Sequence, residues 1–165
     1  MKIRRETPED GAHIGRLINA AFASIEHASG QEATIVEKLR SHGQMTISLV
    51  SEDDGIIVGH VAFSPVFISD GSKDWHGLGP VAVLPAYQGR GIGKMLIEKG
   101  LENLRIIGGR GCVVLGDPAY YRRFGFACEP HLELPGVPQE YFQALAFAGR
   151  PCPHGLVTYA EAFNG

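Results

Sequence analysis

The chain has 165 residues, the size of one ordinary domain, and 44% apolar content is enough for a full core. Lys and Arg number 15 against 18 Asp and Glu; the resulting charge of −3 lends no support to nucleic-acid binding, and scattered charges totalling 20% speak against disorder. Three cysteines without a Cys-x-x-Cys spacing, no apolar stretch behind Met1–Glu6 and no apolar run approaching about 18 residues predict a reducing, cytoplasmic setting with no leader and no membrane span.

In chain order, Thr7-Pro8-Glu9-Asp10 opens a helix, with Thr as N-cap, Pro in the first turn and acids beside the positive helix end. Ile14, Leu17, Ile18, Ala21 and Phe22 follow at helical spacing. A polar stretch from Ser24 to Gln31 separates a second helix, with Ile35, Val36 and Leu39 on one face and Gly43 as its stop. Met45 to Ser51 and Ile56 to Ser69 read as strands joined by an Asp54-Gly55 hairpin turn. After Asp70-Gly71-Ser72, Trp75 to Leu84 is a third strand, interrupted at Gly79-Pro80 because Pro cannot donate to a ladder.

Then comes Gln88-Gly89-Arg90-Gly91-Ile92-Gly93, opening a helix that carries Met95, Leu96, Ile97, Leu101 and Leu104. Cys112 to Leu115 is a short apolar strand of the kind found in parallel sheets. Asp117-Pro118 caps a helix of one or two turns that Gly125 stops. Phe126 to Leu134 and Gly155 to Tyr159 read as the last strands, and Pro135 to His154 as a loop with one helical turn near Glu140 to Ala146. The pattern predicts one α+β domain spanning residues 1–165, with a mixed sheet.

Glycine is abundant, with 22 residues, many between Gly71 and Gly116. A glycine-rich loop opening a helix is an anion site: backbone N–H groups converge and the helix dipole adds positive potential. The P-loop pattern fails at two positions around Gly93-Lys94. Gly77-Leu78-Gly79-Pro80-Val81-Ala82 matches a dinucleotide fingerprint, but it precedes an apolar strand instead of following one. Gln88 to Gly93, between an apolar strand and an amphipathic helix, resembles the acetyl-CoA loop of the GNAT superfamily of N-acetyltransferases. Tyr120-Tyr121-Arg122-Arg123-Phe124-Gly125-Phe126 resembles a second segment of that superfamily, and the tail from Pro135 resembles its YhbS-like branch.

The resemblance implies a mixed, mostly antiparallel sheet flanked by helices, with a splayed central strand pair. It implies that Val81, Ala82 and Val83 bond the pantetheine amides of acetyl-CoA, the co-substrate. Backbone N–H groups of Gln88, Gly89, Arg90, Gly91, Ile92, Gly93 and Lys94 would hold the pyrophosphate, with Arg90 and Lys94 either adding charge or standing as solvated side chains. Tyr121 matches the general acid, because a phenol with a pKa of about 10 is protonated at neutral pH and can donate to the leaving thiolate. Tyr120 reads as a packing residue, and Asp117 as an N-cap with CoA contact as a second role.

The general base stays open. The strand positions where relatives carry a carboxylate fall on Gly77 and Gly79. Asp74 and His76 flank them; Glu26, His27, Glu32, His60, Ser64 and a water relay remain candidates. The acceptor is expected from the side walled by Ser24 to Glu32 and by Pro135 to His154 with its Tyr141, Phe142 and Phe147, with Glu26 and Glu32 drawing an ammonium. The seven histidines show no ligand pairing, so no metal is expected.

The sequence thus predicts an enzyme moving an acetyl group to a primary amine of a small molecule or protein. A non-catalytic acyl-CoA-binding regulatory module and a nucleotide-binding regulator are the alternatives. The partner is the amine, with no nucleic acid and no membrane, and a homodimer stays open.

Overall fold

The computed structural model describes residues 1–26 and 28–164. An opening strand β1 (Lys2–Arg5) leads through a 3₁₀ turn (Pro8–Asp10) into α1 (Gly11–Phe22). The Asp10 carboxylate accepts the Thr7 N–H at 2.6 Å and pairs with Arg4 at 2.7 Å. Hydrogen bonding to Arg4 holds that carboxyl well below the usual carboxylate range. The α1 face that buries Ile14, Leu17, Ile18 and Ala21 is the stripe expected from the periodicity. Next comes α2 (Glu32–Ser41), stopped before Gly43, whose φ is +70°.

Strands β2 (Ile47–Asp53) and β3 (Ile56–Ile68) form the hairpin. Its turn places Asp54 and Gly55 at φ 49° and 79°, the pair of positive values a two-residue turn of this twist requires. Then follow β4 (Trp75–Val83), α3 (Ile92–Ile106), β5 (Gly111–Leu115), α4 (Pro118–Tyr121), β6 (Leu132–Glu133), β7 (Phe142–Ala146) and β8 (Gly155–Tyr159).

The strands run in the order β1-β2-β3-β4-β5-β7, with β8 attached to the far end of β3 and to β6. Along that order every pair is antiparallel except β4–β5. Helix α3 covers one face, where Leu96, Ile97, Leu101 and Leu104 pack on Leu49, Val61 and Phe63. Each such fully buried side chain contributes roughly 1.5–3 kcal/mol by its removal from water. A Cβ at Gly100 of α3 would overlap the Phe63 ring, so the helix sits this close only because that side chain is missing. Helices α1 and α2 cover another part of the sheet through Val36, Val50 and Ala82.

A polar network ties α2 to the sheet. Glu6 takes Arg40 at 2.6 Å and the Ser48 hydroxyl, and Ser48 meets Nε2 of the fully buried His60 at 2.8 Å. Burial pushes the pKa of His60 down to about 4, against the pull of Glu6.

The sequence expectations fail at three places. Strand β1 was not expected: Lys2-Ile3-Arg4-Arg5 has no strand composition, yet it pairs with β2 and is held there by Arg4, which bonds Glu52 at 3.0 Å. The helical turn near Glu140 to Ala146 is instead a 3₁₀ turn at Gln139–Tyr141 followed by β7. Residues Phe142 to Ala146 have adequate helix propensity, but β5 has a free edge, and pairing from Gly111↔Ala146 to Leu115↔Phe142 satisfies both backbones. The strand expected over Phe126 to Leu134 reduces to β6 and one bridge, Ala127↔Ala144. Pro130 lacks an N–H, and the side chain of Gln139 serves the Glu129 and Leu132 carbonyls in place of a strand partner.

Candidate active site

The site begins with an extra residue. Register runs Phe63↔Leu78 and then Val61↔Val81, so β4 takes three steps where β3 takes two. The surplus lies at Gly79-Pro80, with Gly79 at φ 136°, a value open to glycine. On its other edge β4 pairs with β5 only as far as Leu78↔Val114. β5 keeps its pairing with β7 through Leu115↔Phe142 while its β4 side goes unpaired, and the β4–β5 pair is split.

Alternation decides what faces the gap. Leu84 N–H donates to the Val58 carbonyl at 2.9 Å, so Val58–Leu84 and His60–Ala82 are the bonded pairs of the β3–β4 ladder. Backbone groups of Ala82 therefore belong to that ladder. Those of Val81 and Val83 turn the other way, into the gap. The Val83 carbonyl is met there by the Gln88 side chain at 3.0 Å. Gln88 thus fastens the glycine loop to the strand.

Gly89 and Gly91 have φ of 77° and 80°, and the first bond of α3 runs from Met95 N–H to the Gly91 carbonyl at 3.1 Å. The N–H groups of Ile92, Gly93 and Lys94 precede that bond and have no partner within the helix. They edge a hollow of about 340 Å³ whose opposite wall is Tyr120 and Arg123. A Cβ on Gly93 would stand 3.6 Å from the Tyr120 hydroxyl, so glycine keeps this hollow open.

The two cations of the loop take different places. Arg90 bonds back to the Ala86 carbonyl at 3.2 Å, lies 5.0 Å from the Tyr87 ring centre and is not among the residues lining the hollow. Lys94 lines it but pairs with Glu98 at 2.8 Å. The cation the sequence reading missed is Arg123, stacked at 4.4 Å over Tyr120. The three-residue spacing of Tyr120 and Arg123 was the available signal, since it puts both on one helical face. Tyr120 does pack against Tyr121 and Phe124, but it also forms part of the hollow.

Asp117 caps α4, its Oδ1 accepting the Ala119 N–H at 2.9 Å, and it lines neither the hollow nor the larger cavity beyond it. Tyr121 lies against Gly116, where any side chain would meet its ring. Burial, then the neighbouring Tyr120, pushes its pKa up to about 12, so it holds its proton. It borders the larger cavity, of about 680 Å³, together with Leu78, Gly79 and Val81 of the split strand. The two cavities thus meet β4 on either side of adjacent tyrosines.

Of the base candidates among the described residues, Glu32 alone borders the larger cavity. Burial raises its pKa, but hydrogen bonds from Ser29, at 2.8 Å from Oγ and 2.9 Å from N–H, outweigh this and leave it lowered. Glu26 is exposed and outside the cavity; His27 lies outside the described residues. His60 and Ser64 are fully buried away from it, and Asp74 and His76 do not reach it.

Pro135 and Val137 of the segment from Pro135 to His154 wall the cavity, and its aromatics do not. Phe142 and Phe147 are buried in the sheet packing, and Tyr141 is exposed. Tyr159 of β8 was missed: its ring fills the space beside Gly77, and its hydroxyl is buried without a hydrogen-bond partner. Among the described residues there is no cluster of His, Cys, Asp or Glu able to hold a metal, and no helix is long and apolar enough to cross a membrane.

Residues 44–128 match the family model described as the acetyltransferase (GNAT) domain. The uncharacterized N-acetyltransferase YhbS of Escherichia coli (strain K12) is 40% identical, with 99% of each chain covered. A GNAT family acetyltransferase from Brucella melitensis, solved in complex with acetyl-CoA, superposes with a TM-score of 0.88 at 49% identity, over 98% of this chain and 97% of that one. The Escherichia coli YhbS structure, solved with CoA, superposes with a TM-score of 0.87 at 38% identity, over 99% and 92%.

Proposed function

The chain belongs to the GNAT acetyltransferase family, and we propose that it transfers the acetyl group of acetyl-CoA to a primary amine by direct attack on the thioester. The observation that carries this reading is the convergence on one strand, β4, of a glycine-lined anion hollow, an unpaired strand edge and a protonated, buried tyrosine. The relatives solved with acetyl-CoA and with CoA support the same cofactor here. The hollow suits a pyrophosphate, having free N–H groups on one wall, the Arg123 guanidinium on the other and glycine where a side chain would intrude.

Each part then has a role. Val81 and Val83 offer backbone donors and acceptors to the pantetheine amides, while Ala82 secures the strand. The N–H groups from Gly89 to Lys94 hold the pyrophosphate, joined by Arg123; that of Gln88, expected to take part, is given to the Pro85 carbonyl at 3.3 Å instead. Acetyl-CoA supplies the activated carbonyl. A neutral amine entering from the larger cavity forms the new C–N bond as the C–S bond breaks. Tyr121 gives its proton to the departing sulfur, and the proton lost by the nitrogen leaves to water or to Glu32, after which Tyr121 is reprotonated. Asp117 acts here through α4, which it caps, and Glu26 has no part in the cavity.

We take residues 1–165 as one acetyltransferase domain, since its sheet draws on strands from both ends of the chain. The three unpaired cysteines support a cytoplasmic, reducing setting. An acyl-CoA-binding module without turnover gains no support from a site with a protonated donor beside an open cavity. The test is thiol release from acetyl-CoA over a panel of amines, with CoA binding measured by calorimetry. Tight CoA binding with no amine-dependent thiol release would instead identify such a module.

A further inference from the structure

The walls of the larger cavity carry chemical information about the acceptor. They are apolar over most of their extent: Phe22 and Ile35 come from the helices, Leu134 and Val137 from the segment after β6, Val157 from β8 and Phe163 from the C-terminal turn. Glu32 is the one charged side chain bordering it among the described residues. A polycation placed here would strip water from several charges and meet a single carboxylate, which is costly. An amine with an apolar body loses little water that it needs and covers these walls.

A second observation lies deeper. Tyr159 borders the same cavity as Tyr121, and its hydroxyl is fully buried without a partner. Buried polar groups in folded proteins are almost always paired, so an orphaned hydroxyl on a residue that lines a cavity marks a place where a ligand atom would find a partner. Its position is also telling. The Tyr159 ring stands 3.3 Å from where a Cβ of Gly77 would be, and Val66 stands at 3.2 Å. The ring thus fills the space a side chain on the central strand would use. Burial pushes this phenol's pKa above the ordinary range, so it is a neutral hydrogen-bonding group, able to accept from or donate to a nitrogen.

Resting on the acetyl-transfer reading, we propose that the acceptor is a primary amine with an apolar body that seats against the wall formed by Tyr159, its nitrogen supplying the partner the Tyr159 hydroxyl lacks. Glu32, at the end of α2, draws the single ammonium toward it before deprotonation.

The test compares 2-phenylethylamine and spermidine as acceptors for the purified chain, by thiol release from acetyl-CoA. The expected result is a kcat/KM at least tenfold higher for 2-phenylethylamine. Tyr159→Phe keeps the ring beside Gly77 and its stacking on Phe163, so the fold survives. It should raise the KM for 2-phenylethylamine about five- to tenfold, with kcat changed less and CoA affinity unchanged. Spermidine as the better acceptor overturns the proposal, as does an unchanged amine KM in Tyr159→Phe. Preference for hexanoyl-CoA over acetyl-CoA with either amine also overturns it, by giving the apolar walls to the acyl chain. Acetyl-CoA binding without transfer to either amine overturns it too. Failure of acetyl-CoA to bind at all is a different result, overturning the acetyl-transfer reading beneath it.

Discussion

Gly93→Ala should make the protein more stable and weaken its hold on CoA by about one to two orders of magnitude. Gly93 is the second residue of α3, and its backbone is in the ordinary helical range. An added Cβ would meet the Tyr120 hydroxyl at 3.6 Å, Val83 at 3.9 Å and Val81 at 4.0 Å, all ordinary contacts. Helix propensity then gives a gain of roughly 0.5–1 kcal/mol over glycine. For a chain of this size that raises the melting temperature by about 1–4 °C. The same methyl stands in the hollow between the α3 N–H groups and Tyr120, where the phosphates have to approach. Losing one hydrogen bond to a charged oxygen costs about 1.5–3 kcal/mol, roughly a 10- to 150-fold rise in Kd. Calorimetric titration with CoA, paired with a thermal melt, reads both numbers. A variant with a raised melting temperature and unchanged CoA affinity would falsify the assignment of the hollow to the pyrophosphate.

Gly100→Ala, seven residues along the same helix, should do the opposite: its Cβ overlaps Phe63, and urea unfolding should show a loss of about 1–3 kcal/mol from overpacking. Tyr121→Phe should lower kcat by roughly 10²- to 10⁴-fold with near-normal CoA binding; wild-type turnover would demote Tyr121 to packing. With Tyr121 pushed up to about 12, kcat should stay level from about pH 8 to about pH 10, where an ordinary phenol is half ionised; a fall over that range would show a different acid. His60 accepts a proton near pH 6.5 when unfolded but only near pH 4 when folded. Between those values the unfolded chain binds more protons, so stability rises with pH and is lost on acidification, by on the order of 3 kcal/mol for this group. The lowered carboxyl of Glu6 acts in the same direction below its own unfolded value. Urea midpoints from pH 7 to pH 4 should fall accordingly, and His60→Gln should flatten the slope; an equal slope in that variant would remove His60 as the cause.

What the sequence determined by itself is whatever has a local physical cause. The α1 stripe follows from spacing, the Asp54-Gly55 turn from two positive φ values, the α4 start from the Asp117 side chain, and the glycine loop from residues that leave N–H groups bare. Each is decided within a few residues, and together they carried the family resemblance and the expected split at Gly79-Pro80. Tertiary structure decided what depends on a partner far along the chain. Strand β1 exists because β2 had an edge and Arg4 found Asp10 and Glu52; β7 exists because β5 had an edge. The proposed site divides in the same way. Gln88 to Lys94 and Tyr121 lie in local motifs and could be named in advance. Arg123 borders the hollow only because the 3₁₀ turn after α4 packs across from α3. Tyr159 borders the larger cavity only because β8 returns to pair with β3 beside Gly77, where the chain carries no side chain of its own. Such pairings gain their energy from contacts between distant segments, and no short stretch of sequence records them.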